Sequence, residues 1–126
     1  DKDEIEAMLF RAGKYRIALP SDKIERVNRQ SKRDTISGIV FDPFHILDDP
    51  NKKVVSTVEV KKENGIVTYV FESIVGNQSV RLLSTRKVPD PQIFSYAVLL
   101  ENSQIAYLLH EPVALAETKI GDSHGL

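Results

Sequence analysis

Alternating apolar and polar positions near the start of the chain predict a β-hairpin. Tyr15, Ile17 and Leu19 alternate with polar or small residues, the pattern of a strand with one buried face. Gly13 precedes this segment and can adopt the positive φ of a tight turn. Pro20 has no N–H with which to extend a ladder, so the second strand should end there. We expect a turn over the next three residues, 21–23.

A second hairpin is predicted from Lys53–Lys61 and Ile66–Phe71. Alternate positions of the first segment should share one face, which comprises Val54, Ser56, Val58 and Val60. Between the segments stands Asn64-Gly65, the dipeptide preferred in a type I′ turn.

A third hairpin is predicted from the segments YAVLLEN and QIAYLLH, on either side of Asn102-Ser103. Both segments have few polar positions, which is typical of strands covered on both faces. Turn residues recur about every ten residues along the chain, a spacing that favours a barrel or a sandwich. The sequence therefore predicts an all-β fold.

Less regular segments lie between and after these hairpins. Pro89 and Pro91 predict a loop over Arg86–Phe94. Pro112 can occupy the first turn of a short C-terminal helix, PVALAETK, which Gly121 follows. No internal repeat or linker divides the chain, so we expect a single domain over residues 1–126.

Composition limits the classes of function. The chain has 126 residues with 17 basic and 18 acidic side chains. It therefore has no overall positive charge that would attract nucleic acid or an anionic membrane. It has no cysteine, which excludes disulfides and thiol catalysis. No apolar run reaches the roughly 20 residues of a membrane span, and the opening residues lack signal-peptide features. We expect a cytoplasmic protein without membrane insertion.

Candidate catalytic and metal-binding residues are few. His45, His110 and His124 lie in separate segments without the spacing of a metal motif. We interpret His45 and the nearby Asp42 as parts of a solvated turn, and His110 as an edge residue satisfied by backbone. The glycines form no phosphate-binding loop, and no serine has a nucleophile elbow around it. We therefore expect no enzymatic activity and no cofactor.

The most charged stretch, Asp22–Asp34, has five basic and three acidic residues. We weigh two interpretations, a solvated loop and a nucleic-acid surface. The neutral chain and the shortage of neighbouring aromatic residues favour the loop. Phe41 and Phe44, which could serve as stacking platforms, are interpreted as core residues.

Four segments together resemble the CheW-like domain of bacterial chemotaxis coupling proteins, a family of receptor-to-kinase adaptors. The segment FRAGKYRIALPSDKIERV resembles the family's opening hairpin, its Leu-Pro stop and the following apolar-x-x-apolar turn at Ile24 and Val27. GIVFDPFHIL is similar to a strand that runs into an aspartate, here Asp42. VTYVFESIVG resembles the family's Val-Asp-x-Val stretch, with Glu72 displaced or substituted at the acidic position. SYAVLLENSQIAYLLHEPVALAE is similar to the closing hairpin and helix.

The resemblance implies two small five-stranded SH3-like β-barrels packed around a shared core, with a short C-terminal helix. It also implies a non-enzymatic adaptor that couples chemoreceptors to a CheA-type histidine kinase. The partners would be the kinase, the cytoplasmic tip of a receptor, or both, with no nucleic acid. The residues that the resemblance assigns to partner contacts are Ile24, Arg26, Val27, Arg29 and Gly38.

Two departures from the family pattern fall in regions that the resemblance assigns to partner contacts. The family's Asn-Leu-Arg-Gly motif is missing, because no arginine precedes Gly38 and the connection from Val27 is shorter. Arg26 replaces the usual acidic residue between the two apolar positions. The alternative function is a small β-barrel that binds nucleic acid through the basic residues of Lys23–Arg33.

Overall fold

The computed structural model describes residues 3–63 and 65–110 and is mostly β-sheet, which confirms the all-β prediction. Nine strands occur in this part of the chain: β1 Glu4–Ala12, β2 Tyr15–Pro20, β3 Ile24–Lys32, β4 Ile39–Phe41, β5 Val54–Lys62, β6 Gly65–Phe71, β7 Ser73–Leu83, β8 Phe94–Leu99 and β9 Ile105–Leu109. Its only helical segments are three short 3₁₀ turns, Ser21–Lys23, Arg33–Thr35 and Ile46–Asp48. No helix among these residues is both long and apolar enough to cross a bilayer.

The described residues form two compact units. The first, here called the barrel unit, comprises residues 3–22 and 74–110. The second, here called the sheet unit, comprises residues 23–73. The prediction of one domain over residues 1–126 stays a prediction.

The barrel unit contains a closed five-stranded barrel with the strand order β1-β2-β9-β8-β7. β1 and β2 form the predicted hairpin, in which Ala12 pairs with Tyr15 and Gly13 has a φ of 60°. Pro20 ends β2 as expected, and a 3₁₀ turn follows over Ser21–Lys23. β8 and β9 form the third predicted hairpin. A compact core lies among these strands and includes Leu9, Ala18, Val80, Val98, Ala106 and Leu108.

The sheet unit contains a four-stranded sheet in the order β3-β5-β6-β4. β5 and β6 form the second predicted hairpin, and the pair that closes it is Lys62 with Gly65. Gly65 thus belongs to β6 rather than to the loop, with a φ of 128°. The predicted turn type depends on Asn64, which lies outside the described residues.

β5 contains an uninterrupted run of four buried residues. The four residues Val55–Val58 are all buried, so the strand is covered on both faces. Val58 and Val60 face the core as predicted, with exposed fractions of 0% and 3%. Val54 shares the face of Val58 and Val60, as its alternate position predicts, but it is 51% exposed. It is the first residue of β5 and pairs with exposed Lys32, so it lies at the margin of the sheet.

The prediction of a solvated loop over Asp22–Asp34 is wrong for most of its length. Ile24–Lys32 forms β3, which pairs with β5 along the edge of the sheet. Ile24 and Val27 consequently lie in a strand and not in a turn. An edge strand needs only one buried face, and charged side chains are common there because they discourage association with other strands. This segment therefore forms a strand through backbone pairing with β5, although its composition is polar.

Two finer predictions stay open. The barrel unit has its closed barrel of five strands, whereas the described part of the sheet unit has four strands in one sheet. A pair of SH3-like barrels therefore stays a prediction. The predicted helix over residues 112–119 lies outside the described residues.

Val58→Asp should strongly destabilise the protein, by roughly 3 kcal/mol or more, because it places an unpaired carboxylate in a fully buried position. Val54→Asp is the matched control in the same strand. Since Val54 is half exposed and pairs with Lys32, this change should cost no more than about 0.5 kcal/mol. Chemical denaturation of both variants checks the assignment, and equal losses of stability would contradict it.

Candidate partner-binding surface

The five residues assigned to partner contacts fall into two places. Ile24, Arg26, Val27 and Arg29 all lie on β3. Gly38 lies in the bend before β4, and the sheet order places two strands between β3 and β4. Gly38 has a φ of 87°, and a Cβ there would meet open space, so glycine serves the backbone conformation and not close packing. The candidate surface is therefore β3, without Gly38.

The register of β3 separates its apolar residues from Arg26. Ile24 pairs with Val60 and Val27 with Val58, so both lie on the core face of the sheet and are half-buried. Arg26 pairs with Glu59 on the opposite face and is exposed. A register shift between Ile24 and Arg26 accommodates this arrangement. Arg26 consequently projects outward while its apolar neighbours face the core.

A second register shift lies between Asn28 and Ser31, where β3 has one more residue than β5. The backbone N–H of Gln30 donates to Oδ1 of Asn28 at 3.1 Å. The carbonyl oxygen of Arg29 accepts a hydrogen bond from Oγ of Ser56 at 3.0 Å. Two side chains thus satisfy backbone groups that the interrupted ladder leaves unpaired. Specific side chains therefore stabilise this β-bulge, and it is not an irregularly folded part of the strand.

Buried hydroxyl groups connect β3 to β5. Oγ of Ser31 and Oγ1 of Thr57 share a hydrogen bond of 2.6 Å, and both residues are buried. Ser56 is buried as well and donates to the Arg29 carbonyl. No buried side-chain nitrogen or oxygen within residues 3–63 and 65–110 is left without a partner. β3 therefore completes the hydrogen bonding of the buried stretch of β5.

Arg33 has a structural role that the sequence did not indicate. Its guanidinium group donates to the carbonyl oxygens of Leu47 and, at 3.2 Å, Asp49. Its backbone N–H donates to the carbonyl of Lys53 at 2.9 Å. Arg33 thus holds the segment between β4 and β5, and it is only partly available to a partner.

The aspartate in this segment also has a local role. Both carboxylate oxygens of Asp42 accept backbone hydrogen bonds, from Ile46 at 3.0 Å and Leu47 at 2.9 Å. They stabilise the start of the 3₁₀ turn Ile46–Asp48. His45 is exposed and lies 3.2 Å from a carboxylate oxygen of Asp48. The interpretation of this region as a polar turn is confirmed.

The remaining titratable candidates are His110 and His124. Nε2 of His110 lies 2.7 Å from the carbonyl oxygen of Pro91, which confirms that backbone satisfies this residue. His124 lies outside the described residues. Among those described, no three His, Asp or Glu side chains are grouped as metal ligands.

Glu72 forms an ion pair with Lys52 at 2.8 Å. The hydrogen bond from Lys52 to Glu72, followed by the negative charge of Glu72, holds the pKa of Lys52 above its ordinary value of 10.5. Asp49 adds to this shift, and burial opposes it. Both side chains are about one-third exposed, so the pair is a weak, local link.

The outer edge of β3 is poorly suited to adding another strand. β5 is the only sheet neighbour of β3 among the described residues. The two register shifts interrupt the regular spacing of backbone donors and acceptors, and charged side chains flank them. A partner at this edge would therefore be recognised through side chains more than through a backbone ladder.

Comparison with known proteins adds no family assignment. No family model matches the chain, and a search of curated proteins found no match.

Arg33→Met should destabilise the protein by about 1–3 kcal/mol, because two backbone carbonyls lose their donor. Lys32→Met is the matched control, since Lys32 is exposed and adjacent. It should change stability by no more than about 0.5 kcal/mol. Urea denaturation measures both effects, and the structural role of Arg33 fails if the two variants unfold at the same midpoint.

Proposed function

We propose that this chain is a CheW-like, non-enzymatic adaptor that couples chemoreceptors to a CheA-type histidine kinase in the cytoplasm. The finer fold that accompanies this proposal is a pair of SH3-like barrels followed by a short helix. Two of the segments that carry the family resemblance contain strand hairpins. The opening segment forms the β1–β2 hairpin, and the closing segment forms β8 and β9.

The single observation that carries the proposal is the arrangement of β3. Ile24 and Val27 lie half-buried on one face, and Arg26 is exposed on the other. An adaptor requires such a surface on a rigid scaffold and needs no reacting groups. Ser31 and Ser56 attach β3 firmly to β5, so the surface is positioned before a partner arrives.

The missing Asn-Leu-Arg-Gly motif affects the second contact region of this proposal. Gly38 adjoins β4, at the opposite edge of the sheet from β3. The two regions are thus separate on this unit, and one can change without the other. We assign the kinase or receptor contact to β3 and leave Gly38 as a secondary contact.

Nucleic-acid binding gains no support from these contacts. Arg33, one of the basic residues that suggested it, is engaged with the carbonyls of Leu47 and Asp49. Phe41 and Phe44 are half-buried and do not belong to the buried core, contrary to their interpretation as core residues. Phe41 packs edge-on against Tyr69 with ring centroids 5.1 Å apart, so its ring is already engaged with a neighbour. We therefore keep nucleic acid as an outcome of the test.

The test is complex formation with a purified CheA-type kinase and a chemoreceptor cytoplasmic fragment. We expect the chain to co-elute with one or both, and Arg26→Glu to alter this binding in a salt-dependent manner. The same variant should keep its stability within about 0.5 kcal/mol, since Arg26 is exposed.

Two results would contradict the adaptor proposal. One is the absence of any complex with the kinase or the receptor fragment. The other is recovery of nuclease-sensitive material when the chain is purified from its native cells, together with a steep salt dependence of single-stranded nucleic-acid binding.

A further inference from the structure

Basic residues recur at every third position along β3 and just before it. We call Lys23, Arg26, Arg29 and Lys32 the β3 stripe, and all four are exposed. At about 3.3 Å per residue, successive cations lie about 10 Å apart along the strand. Two acidic residues, Asp22 and Glu25, are exposed in the same stretch, so cations are in excess. Lys53, just before β5, and Lys61, near the end of β5, are exposed as well.

The register restricts how one partner can reach this stripe. Arg26 lies on the face of Glu59, whereas Lys32 pairs with Val54 on the other face. A partner that covers one face of the sheet would contact only one of these two cations. Long basic side chains on an edge strand can extend past the edge, where both faces meet. The outer edge of β3 is therefore the place where a single partner can contact both.

We infer that the β3 stripe binds an acidic segment of a protein partner, which lies along the outer edge of the strand and is held by its carboxylates. Arginine donates in bidentate fashion to carboxylates, and such hydrogen bonds are stronger than neutral ones. This inference rests on the proposed adaptor role and names the chemistry of the partner. Nucleic acid fits less well, because β3 has no aromatic residue on which bases could stack.

Glu59 lowers the local positive charge, because it lies opposite Arg26 in the register of the two strands. An acidic partner placed against Arg26 would also approach the negative charge of Glu59, which repels it. Removing the negative charge of Glu59 should therefore strengthen binding of an acidic partner. Charge reversal on the stripe itself should weaken this binding. The inference therefore predicts a gain of affinity for one variant and a loss of affinity for the other.

The experiment measures binding of labelled poly-L-glutamate and of an oligothymidylate by fluorescence anisotropy over a salt series. Arg26→Glu with Lys32→Glu should weaken polyglutamate binding on the order of tenfold or more. The matched control is Arg86→Glu with Lys87→Glu, which makes the same change in net charge at exposed positions of a loop in the barrel unit. This control should bind nearly as the wild type does, and Glu59→Gln should bind more tightly.

An equal loss of polyglutamate affinity in the stripe variant and in its control would overturn the inference. A Glu59→Gln variant that binds polyglutamate no better than the wild type would also overturn it. Preferential binding of oligothymidylate that is lost in the stripe variant would overturn it in favour of nucleic acid. If the stripe variant unfolds early, Arg26→Gln with Lys32→Gln gives the same comparison without new acidic groups. If the chain binds polyglutamate but forms no complex with the kinase or the receptor fragment, the adaptor role alone is overturned. If it forms such a complex but does not bind polyglutamate, this inference alone is overturned.

Discussion

Two neighbouring hydroxyl groups in the middle of β5 determine how the sheet unit is assembled. Ser56 and Thr57 lie in the most buried stretch of the strand, where a hydroxyl without a partner would cost about 1–3 kcal/mol. β3 supplies both partners, namely the carbonyl of Arg29 and the hydroxyl of Ser31. Only one alignment of β3 on β5 provides both, because a shift of one residue would move Ser31 to the other face. The register of β3 follows from this requirement.

The bulge and the charged surface are consequences of that alignment. The bulge lets both hydroxyls of β5 reach β3, and Asn28 satisfies the N–H of Gln30 that the bulge leaves unpaired. β3 can then carry exposed cations on a backbone that is fixed by buried contacts. Rigid attachment lowers the entropic cost of binding through those cations. The proposed function of this edge thus depends on hydrogen bonds that lie beneath it.

The sequence predicted the elements whose pattern is local. Regular alternation in β2 and Gly13 at the turn were sufficient for the first hairpin, and Pro20 marked its end. His110 was also assigned correctly, because a histidine at a strand end is commonly satisfied by backbone. In each case the residues that decide the structure lie close together in the chain.

The predictions that were wrong concern contacts between distant residues. β3 has only two apolar residues, and its register shifts break the period of two, so no alternation was available to detect it. Ser31 and Thr57 are separated by 26 positions, and neither residue alone indicates a buried hydroxyl pair. Arg33 belonged to a charged run, yet its carbonyl partners lie 14 and 16 residues further along the chain.

A double-mutant cycle on Ser31 and Thr57 tests the central claim most directly. Unfolding free energies would be measured by chemical denaturation for Ser31→Ala, Thr57→Val and the double variant. If the buried hydrogen bond fixes β3 on β5, each single change leaves a hydroxyl unsatisfied, and the two should couple by about 1 kcal/mol. Additive losses, with a coupling energy near zero, would contradict the account, because the two hydroxyls would then not depend on each other.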